Sequence, residues 1–377
     1  MEIRAGYKQT EVGVIPTDWE VHNLGDRCRT YSGGTPSTAN SEYYGGNISW
    51  ITSGDLNKSQ IFSVEGRITK RGLENSSAKL ISSGTLLMAM YGATAGVIAI
   101  SKIEAAINQA VLAILPQYDE TDFLYQFLSL SKNRIIRTFT QGGQPNLSAI
   151  LISAIQIPFP PTKAEQETIA EALSDADALI ESLEQLIAKK RAIKQGAMQE
   201  LLRPKETWVE KCIGDLLTIV HGKSQQTVSD RNGVYPILAT GGQIGTANRY
   251  LYDEPSVLIG RKGTIDRPQY MDQPFWSIDT LFYSVIHVPN NPKYMFYQFC
   301  LIDWTNHNEA SGVPSLNART IEAIKLKIPL PEEQALIAST LTDIDAEIAS
   351  LEAKLHKARQ LKQGMMQELL TGRIRLV

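Results

Sequence analysis

Residues His221–Ser224 read His-Gly-Lys-Ser, the tail of a phosphate-cradling loop, but that loop needs glycine where this chain has Leu217. None of the five histidines forms a His-Glu-x-x-His pair, and no Gly-x-Ser-x-Gly elbow occurs. The stretch "IPFPP" (157–161) lacks the Asp/Asn-Pro-Pro-aromatic order that holds an amino group for methyl transfer. No strand–GxGxxG–helix unit offers a nucleotide site. Cys28, Cys212 and Cys300 are odd in number and far apart, which fits a reducing compartment and argues against a disulfide framework or a zinc cluster. They read as buried or bystander thiols. Catalytic groups need not be close in sequence, yet this inventory favours a binding module over an enzyme.

The chemistry the chain does offer is recognition. Asn and Gln side chains match adenine edges, Arg and Lys match guanine, and all of them reach out best from glycine-rich loops. In the first half the candidates are Ser32, Gly33, Gly34 and Thr35 in "YSGGTPS", the cations Arg67, Lys70 and Arg71, Tyr91 in "MYGATAG", and Gln144. In the second half they are His221, Lys223 and Gln225 in "HGKSQQ", then Arg261, Lys262 and Thr264 in "IGRKGT". Any one of these alone reads as a solvated turn. Their recurrence at similar depth in two segments is what favours a reading surface.

What must position these loops is a repeat. "IKQGAMQELL" (193–202) returns as "LKQGMMQELL" (361–370), changed at only two places. Extended back to Gln166 and Gln334 at the same offset, more than half of the positions are identical, the mark of internal duplication. Ile169, Leu173, Ala176, Ile180, Leu183 and Ile187 alternate in steps of four and three. So do Ile337, Leu341, Ile344, Ile348, Leu351, Leu355 and Ala358. This is the a/d seam of a long helix packed on another helix.

Each helix is acidic early and basic late, so an antiparallel pair sets acidic starts beside basic ends. The positions predicted for the helix pair and for partner docking are Leu173, Ile180, Leu183 and Ile187 with Gly196, and Leu341, Ile348, Leu351 and Leu355 with Gly364. Glycine costs about 1 kcal/mol inside a helix. The expectation is therefore that Gly196 and Gly364 admit close approach of another backbone.

A domain-sized, strand- and turn-rich segment of α/β or α+β character precedes each helix. Their edges match: "WEVHNLGD" parallels "WVEKCIGD", and "QPNLSAILISAIQIPFPP" parallels "VPSLNARTIEAIKLKIPLP". Their interiors hardly do. The expected plan is a first domain over 1–160, a helix over 161–204, a second domain over 205–331 and a helix over 332–377.

Net charge is −3 and composition ordinary, at 43% hydrophobic and 20% charged. Both large segments are near neutral, so any DNA binding must rest on base contacts or a partner rather than bulk phosphate attraction. No apolar run reaches the roughly 18–20 residues of a membrane span, and the N-terminus has no apolar signal region, which points to the cytoplasm and no membrane.

The combination resembles the specificity subunit of type I restriction–modification systems over nearly the whole chain. The carriers are "YKQTEVGVIPTDWEV" (7–21), "SGGTPS…WITSGDL" (32–56), "IPFPPTKAEQETIAEAL", "IPLPEEQALIASTL", and the two "KQG-MQELL" helix ends, the second running into "LLTGRIRL". The resemblance implies two target-recognition domains joined by two long antiparallel coiled-coil helices in a pseudo-two-fold circular repeat. The N-terminal strip 1–16 would then complete the repeat begun at the C-terminus. It implies that the subunit reads a bipartite, asymmetric site on double-stranded DNA and docks two modification subunits, which methylate adenine N6, and two restriction subunits. It implies no cofactor bound by this chain; S-adenosylmethionine, ATP and Mg2+ serve the partners. Gly372 has no counterpart after the first helix, where "LLRPKETW" follows, so the two junctions differ. A fused DNA methyltransferase–specificity protein and a coiled-coil adaptor that does not bind DNA are the alternatives.

Overall fold

The computed structural model describes residues 4–139 and 146–376. The chain forms two compact units, Met1–Glu184 with Lys354–Val377, and Gln185–Ala353. Two helices of 39 residues each, Lys163–Leu201 and Pro331–Leu369, pass from one unit into the other. Their ends correspond across the repeat.

In unit 1 a five-stranded sheet runs in the order Cys28–Ser32, Val111–Pro116, Leu86–Ala89, Ile98–Ser101, Gln60–Ile61. A four-stranded sheet runs Arg67–Ile68, Tyr44–Ile51, Ala105–Ile107, Lys79–Ile81. Strands such as Leu86–Ala89 are buried on both faces, which explains their unbroken apolar sequence. Unit 2 has a four-stranded sheet, Leu217–His221, Leu281–Ile286, Ser256–Gly260, Gln269–Met271, and a three-stranded one, Gly242–Ala247, Tyr235–Ala239, Trp276–Ser277. Helices Thr121–Phe139 and Pro292–Leu301 follow the strands Val111–Pro116 and Leu281–Ile286. The expected mixed helix–strand architecture is present in both units.

Each unit is closed by the same small parts. Glu20–Asn23 pairs antiparallel with Gln156–Phe159, and Val209–Cys212 with Lys325–Ile328. Trp19 and Trp208, heads of the matching edges, are buried. The core of unit 1 takes in Ile169 and Leu173 from the start of the first long helix and Met366, Leu369 and Leu370 from the end of the second. The core of unit 2 takes in Ile337 and Leu341 from the start of the second and Met198, Leu201 and Leu202 from the end of the first. Within each unit, then, one helix start packs beside the other helix end, as an antiparallel pair requires. Along the seam Leu173, Ile187, Leu341, Ile348 and Leu351 are buried, and Ile180, Leu183 and Leu355 half-buried.

The positions identical in the two repeats carry the polar contacts. The Gln166 Oε1 accepts from the Glu120 N–H (2.9 Å) at the head of Thr121–Phe139, and the Gln334 Oε1 accepts from the Asn291 N–H (2.9 Å) at the head of Pro292–Leu301. Asp177 accepts from Gln126 Nε2 and Asp345 from the Tyr297 hydroxyl, both at 2.8 Å. Arg359 reaches Glu184 at 2.6 Å in unit 1, and Arg191 reaches Glu352 at 2.5 Å in unit 2.

Gly196 and Gly364 differ from expectation. Both are exposed, and a Cβ on either would meet nothing within 4 Å. The seam lies on the other side of each helix, so close backbone approach within the chain is not their reason.

The N-terminal strip pairs Tyr7–Thr10 with Gly13–Pro16, and the Tyr7 hydroxyl donates to the Gly372 carbonyl at 3.1 Å. Gly372 sits at φ +67, and a Cβ there would come within 2.5 Å of the Pro16 ring. Arg375 binds Glu165 and Asp18 and lies 5.9 Å from the Trp19 ring. In unit 2 the shorter junction gives this role to Lys205, which pairs with Glu333 at 2.6 Å and lies 5.7 Å from the Trp208 ring.

Candidate nucleic-acid interface

The loops singled out by sequence hang on one framework built twice. After the first sheet strand of each unit comes a glycine packed on backbone: a Cβ on Gly33 would fall 1.8 Å from the Ile107 carbonyl oxygen, and one on Gly222 falls 2.0 Å from that of Ile278. In unit 1 the Met90 N–H donates to Ala110 O (2.8 Å) and the Leu147 N–H to Met90 O (2.8 Å). In unit 2 the Arg261 N–H donates to Thr280 O (2.8 Å) and the Leu316 N–H to Arg261 O (2.9 Å). Antiparallel bridges then join Tyr91 to Asn146 and Lys262 to Ser315. Tyr91 and Lys262 thus occupy equivalent places.

On this framework unit 1 displays Tyr91, which is exposed, and Thr35, whose hydroxyl donates to Gln109 Oε1. Ser32 ends its strand opposite Leu112 and is half-buried. Gly33 and Gly34 are buried, the second against Ser77, so close packing accounts for both glycines. Arg67, Lys70 and Arg71 belong to the other sheet and its flanking helix. They already have partners: Arg67 donates to Ser49 Oγ at 2.8 Å, Lys70 lies 3.7 Å from Glu74, and Arg71 lies 2.6 Å from Glu42. Gln144 lies outside the described residues.

Unit 2 displays more cationic groups. Lys223 is exposed, with its N–H donating to Ser277 O (2.8 Å) and its carbonyl accepting from Trp276 Nε1 (2.9 Å). Lys262 is exposed, and neither ammonium has a partner among the described residues. The Arg261 guanidinium is half-buried and donates to the Asp279 carbonyl at 3.1 Å, so it braces its loop. Thr264 packs its carbonyl where a Gly260 Cβ would stand, at 2.0 Å. His221 is exposed, its ring edge-on to Phe282 at 4.8 Å, and Gln225 turns the chain by accepting from the Val228 N–H at 3.0 Å.

Two contributors were not predicted. Asn308 Oδ1 accepts from the N–H of Ala310 (3.1 Å) and of Ser315 (2.9 Å), fixing the loop that meets Lys262. The turn 240–241 comes near as well, since a Cβ on Gly263 would lie 3.7 Å from Thr240 Oγ1. The matching "QPNLSA" and "VPSLNA" edges, in which Asn146 and Ser315 hold the same place, mark where that loop meets Lys262 but do not point to Asn308.

The arrangement can present side chains to a ligand. Among the described residues no group of three or more His, Cys, Asp or Glu is placed to hold a metal ion. Burial pushes the Cys28 thiol up to about 12, far from a nucleophile's range. Cys212 is partly buried, and Cys300 is exposed. No helix among the described residues is long and apolar enough to cross a membrane.

Comparison with known proteins gives one consistent result. A family profile for the type I restriction modification DNA specificity domain matches residues 16–190 and 205–360. A type I restriction enzyme MjaIX specificity subunit from Methanocaldococcus jannaschii is 24% identical over 424 aligned residues, covering 98% of this chain and 96% of the relative. The Escherichia coli EcoR124I/EcoR124II specificity subunit is 26% identical over 196 residues, 50% of this chain and 46% of that protein. Among solved structures, the S subunit of a type I restriction–modification system from M. genitalium superposes with TM-score 0.70 at 14% identity, covering 98% of both chains. A chain from a study of complex assembly in the type I R-M system gives TM-score 0.57 at 16% identity, covering 96% of this chain and 99% of the other.

Proposed function

The chain belongs to the type I restriction–modification DNA specificity family, and we propose that it reads a bipartite, asymmetric site on double-stranded DNA for a type I complex. The observation that carries this reading is the doubled framework bearing different loops. Tyr91 stands in unit 1 where Lys262 stands in unit 2, so equivalent scaffolds offer different chemistry to a base edge. Two unlike readers on one duplicated support suit two unlike half-sites. We assign residues 1–160 and 205–331 to the two target-recognition domains and 161–204 and 332–377 to the connecting helices.

In this reading the long helices set the spacing. At ~1.5 Å per residue each extends roughly 58 Å, more than the roughly 34–36 Å of one DNA turn. Lengthening both helices by four residues, after Ser182 and after Ser350, should lengthen the unread spacer of the methylated motif by one or two base pairs. An unchanged spacer would refute the ruler. The helices also dock two modification subunits, which use S-adenosylmethionine to methylate adenine N6. Two restriction subunits add ATP- and Mg2+-dependent cleavage. The chain itself binds none of these cofactors and acts in the cytoplasm.

The test is reconstitution. Purified chain with DNA and S-adenosylmethionine should transfer no methyl group, and adding modification subunits should produce sequence-specific adenine methylation. Methyl transfer by the chain alone would favour the fused methyltransferase instead.

A further inference from the structure

Unit 1 contains a cleft of 540 Å3 between the Thr121–Phe139 helix, the segment around Phe62 and the middle of the Lys163–Leu201 helix, from Ser174 to Glu184. Asp122, Gln126, Asp177 and Glu181 line it together with Lys58 and Phe62. Gln126 is 1% exposed and donates through Nε2 to Asp177, yet its Oε1 has no hydrogen-bond partner among the described residues. A buried acceptor left unmade is costly and calls for an explanation. Phe62, by contrast, is 68% exposed.

Unit 2 supplies an internal control. Gln166 and Gln334 hold the N–H groups of Glu120 and Asn291, which aligns Asp122 with Lys293 and Gln126 with Tyr297. The Lys293 ammonium lies 3.9 Å from the centre of the Tyr270 ring and 5.4 Å from that of Phe296. Burial lowers its pKa, while Asp345 and Asp272 oppose that shift. The Tyr297 hydroxyl, unlike the Gln126 amide, is fully used, on Asp345 and Thr342. Unit 2 therefore carries a cation of its own at the equivalent position. In unit 1 a carboxylate stands where that cation would be, above an amide oxygen with no donor.

We propose that the unit 1 cleft receives a lysine or arginine side chain from a modification subunit docked along the first long helix. Asp122 holds the cationic head, Phe62 covers its aliphatic stem, and the Gln126 amide turns to accept one of its N–H bonds. Carboxylates in the wall disfavour DNA as the occupant. This rests on the reading that the helices dock modification subunits, and it makes the two docking positions unequal, one subunit binding more tightly than the other.

The experiment titrates full-length chain with modification subunit and reads the one- and two-subunit complexes by native mass spectrometry. Asp122→Lys places a cation in the cleft as unit 2 does, and should weaken the tighter step about tenfold while sparing the weaker one. Asp122→Asn, which adds no bulk, should weaken it about threefold and guards against a folding defect in the first variant. Unchanged affinity in both variants overturns the cleft alone. If the wild-type chain binds no modification subunit, the functional reading fails with it. Spermidine binding to the wild-type chain but not to the variants, with subunit affinity unchanged, would place a free polyamine in the cleft and also overturn the proposal.

Discussion

The Lys194 ammonium stands 2.5 Å from a carboxylate oxygen of Asp345. The same pair recurs one repeat away, Lys362 to Asp177, at the same 2.5 Å. In each unit the aspartate also accepts a hydrogen bond from the helix that follows the sheet, from Tyr297 in one and Gln126 in the other. One carboxylate thus joins both long helices to the globular part of its unit. These side chains are one-sixth to two-fifths exposed, so solvent screening keeps each ion pair modest.

A double-mutant cycle on Lys194→Ala and Asp345→Ala should give a coupling of about 0.5–1 kcal/mol by denaturant unfolding. Asp345→Ala alone should cost more than Lys194→Ala, because it also removes the shorter of the two hydrogen bonds of the buried Tyr297 hydroxyl. Equal single-variant costs would show that the tyrosine bond contributes nothing.

The recurrence explains which part of the molecule was legible in the sequence. Heptad spacing announced the helices, and duplication announced their pairing, because both depend on positions close in the chain. The jobs of Gln166, Asp177 and Arg191 were not legible, since their partners Glu120, Gln126 and Glu352 come from other elements. The ion pair of Arg71 was not legible for the same reason: Glu42 is on another element. The recognition framework was half visible, as matching edges around interiors that diverged where the display differs.

Gly196 and Gly364 show what periodicity leaves undecided. The repeat marks each as invariant within the chain but does not say which way it faces. Because a methyl group meets open space at both, Gly196→Ala and Gly364→Ala should each stabilise the isolated chain by about 0.5–1 kcal/mol. Differential scanning calorimetry reads this directly, and destabilisation would point to a helix distortion that the glycines serve.

Gly33 and Gly222 should behave in the opposite way. Alanine at either drives a Cβ into a backbone carbonyl, so Gly33→Ala and Gly222→Ala should each cost about 1–3 kcal/mol. Chemical denaturation checks it; a variant of wild-type stability would return Gly33 to the list of groups that touch DNA.

Lys262 and Arg261 separate display from support. Lys262→Ala should leave stability within about 0.5 kcal/mol of wild type. In the assembled complex it should weaken DNA binding, by about 1–3 kcal/mol and at one position if the ammonium meets a base. Arg261→Ala should lower stability as well, because its guanidinium braces the Asp279 carbonyl. Binding measured across single-base variants of the site decides between base and phosphate contact; no loss of binding from Lys262→Ala would remove that loop from the interface.

The central claim is that each unit reads its own half of the site. It is tested most directly by exchanging residues 17–160 for the corresponding segment of another family member and sequencing N6-methyladenine in cells carrying the chimera with its modification subunit. One half of the methylated motif should change while the other half stays as it was. A motif altered in both halves would contradict independent reading.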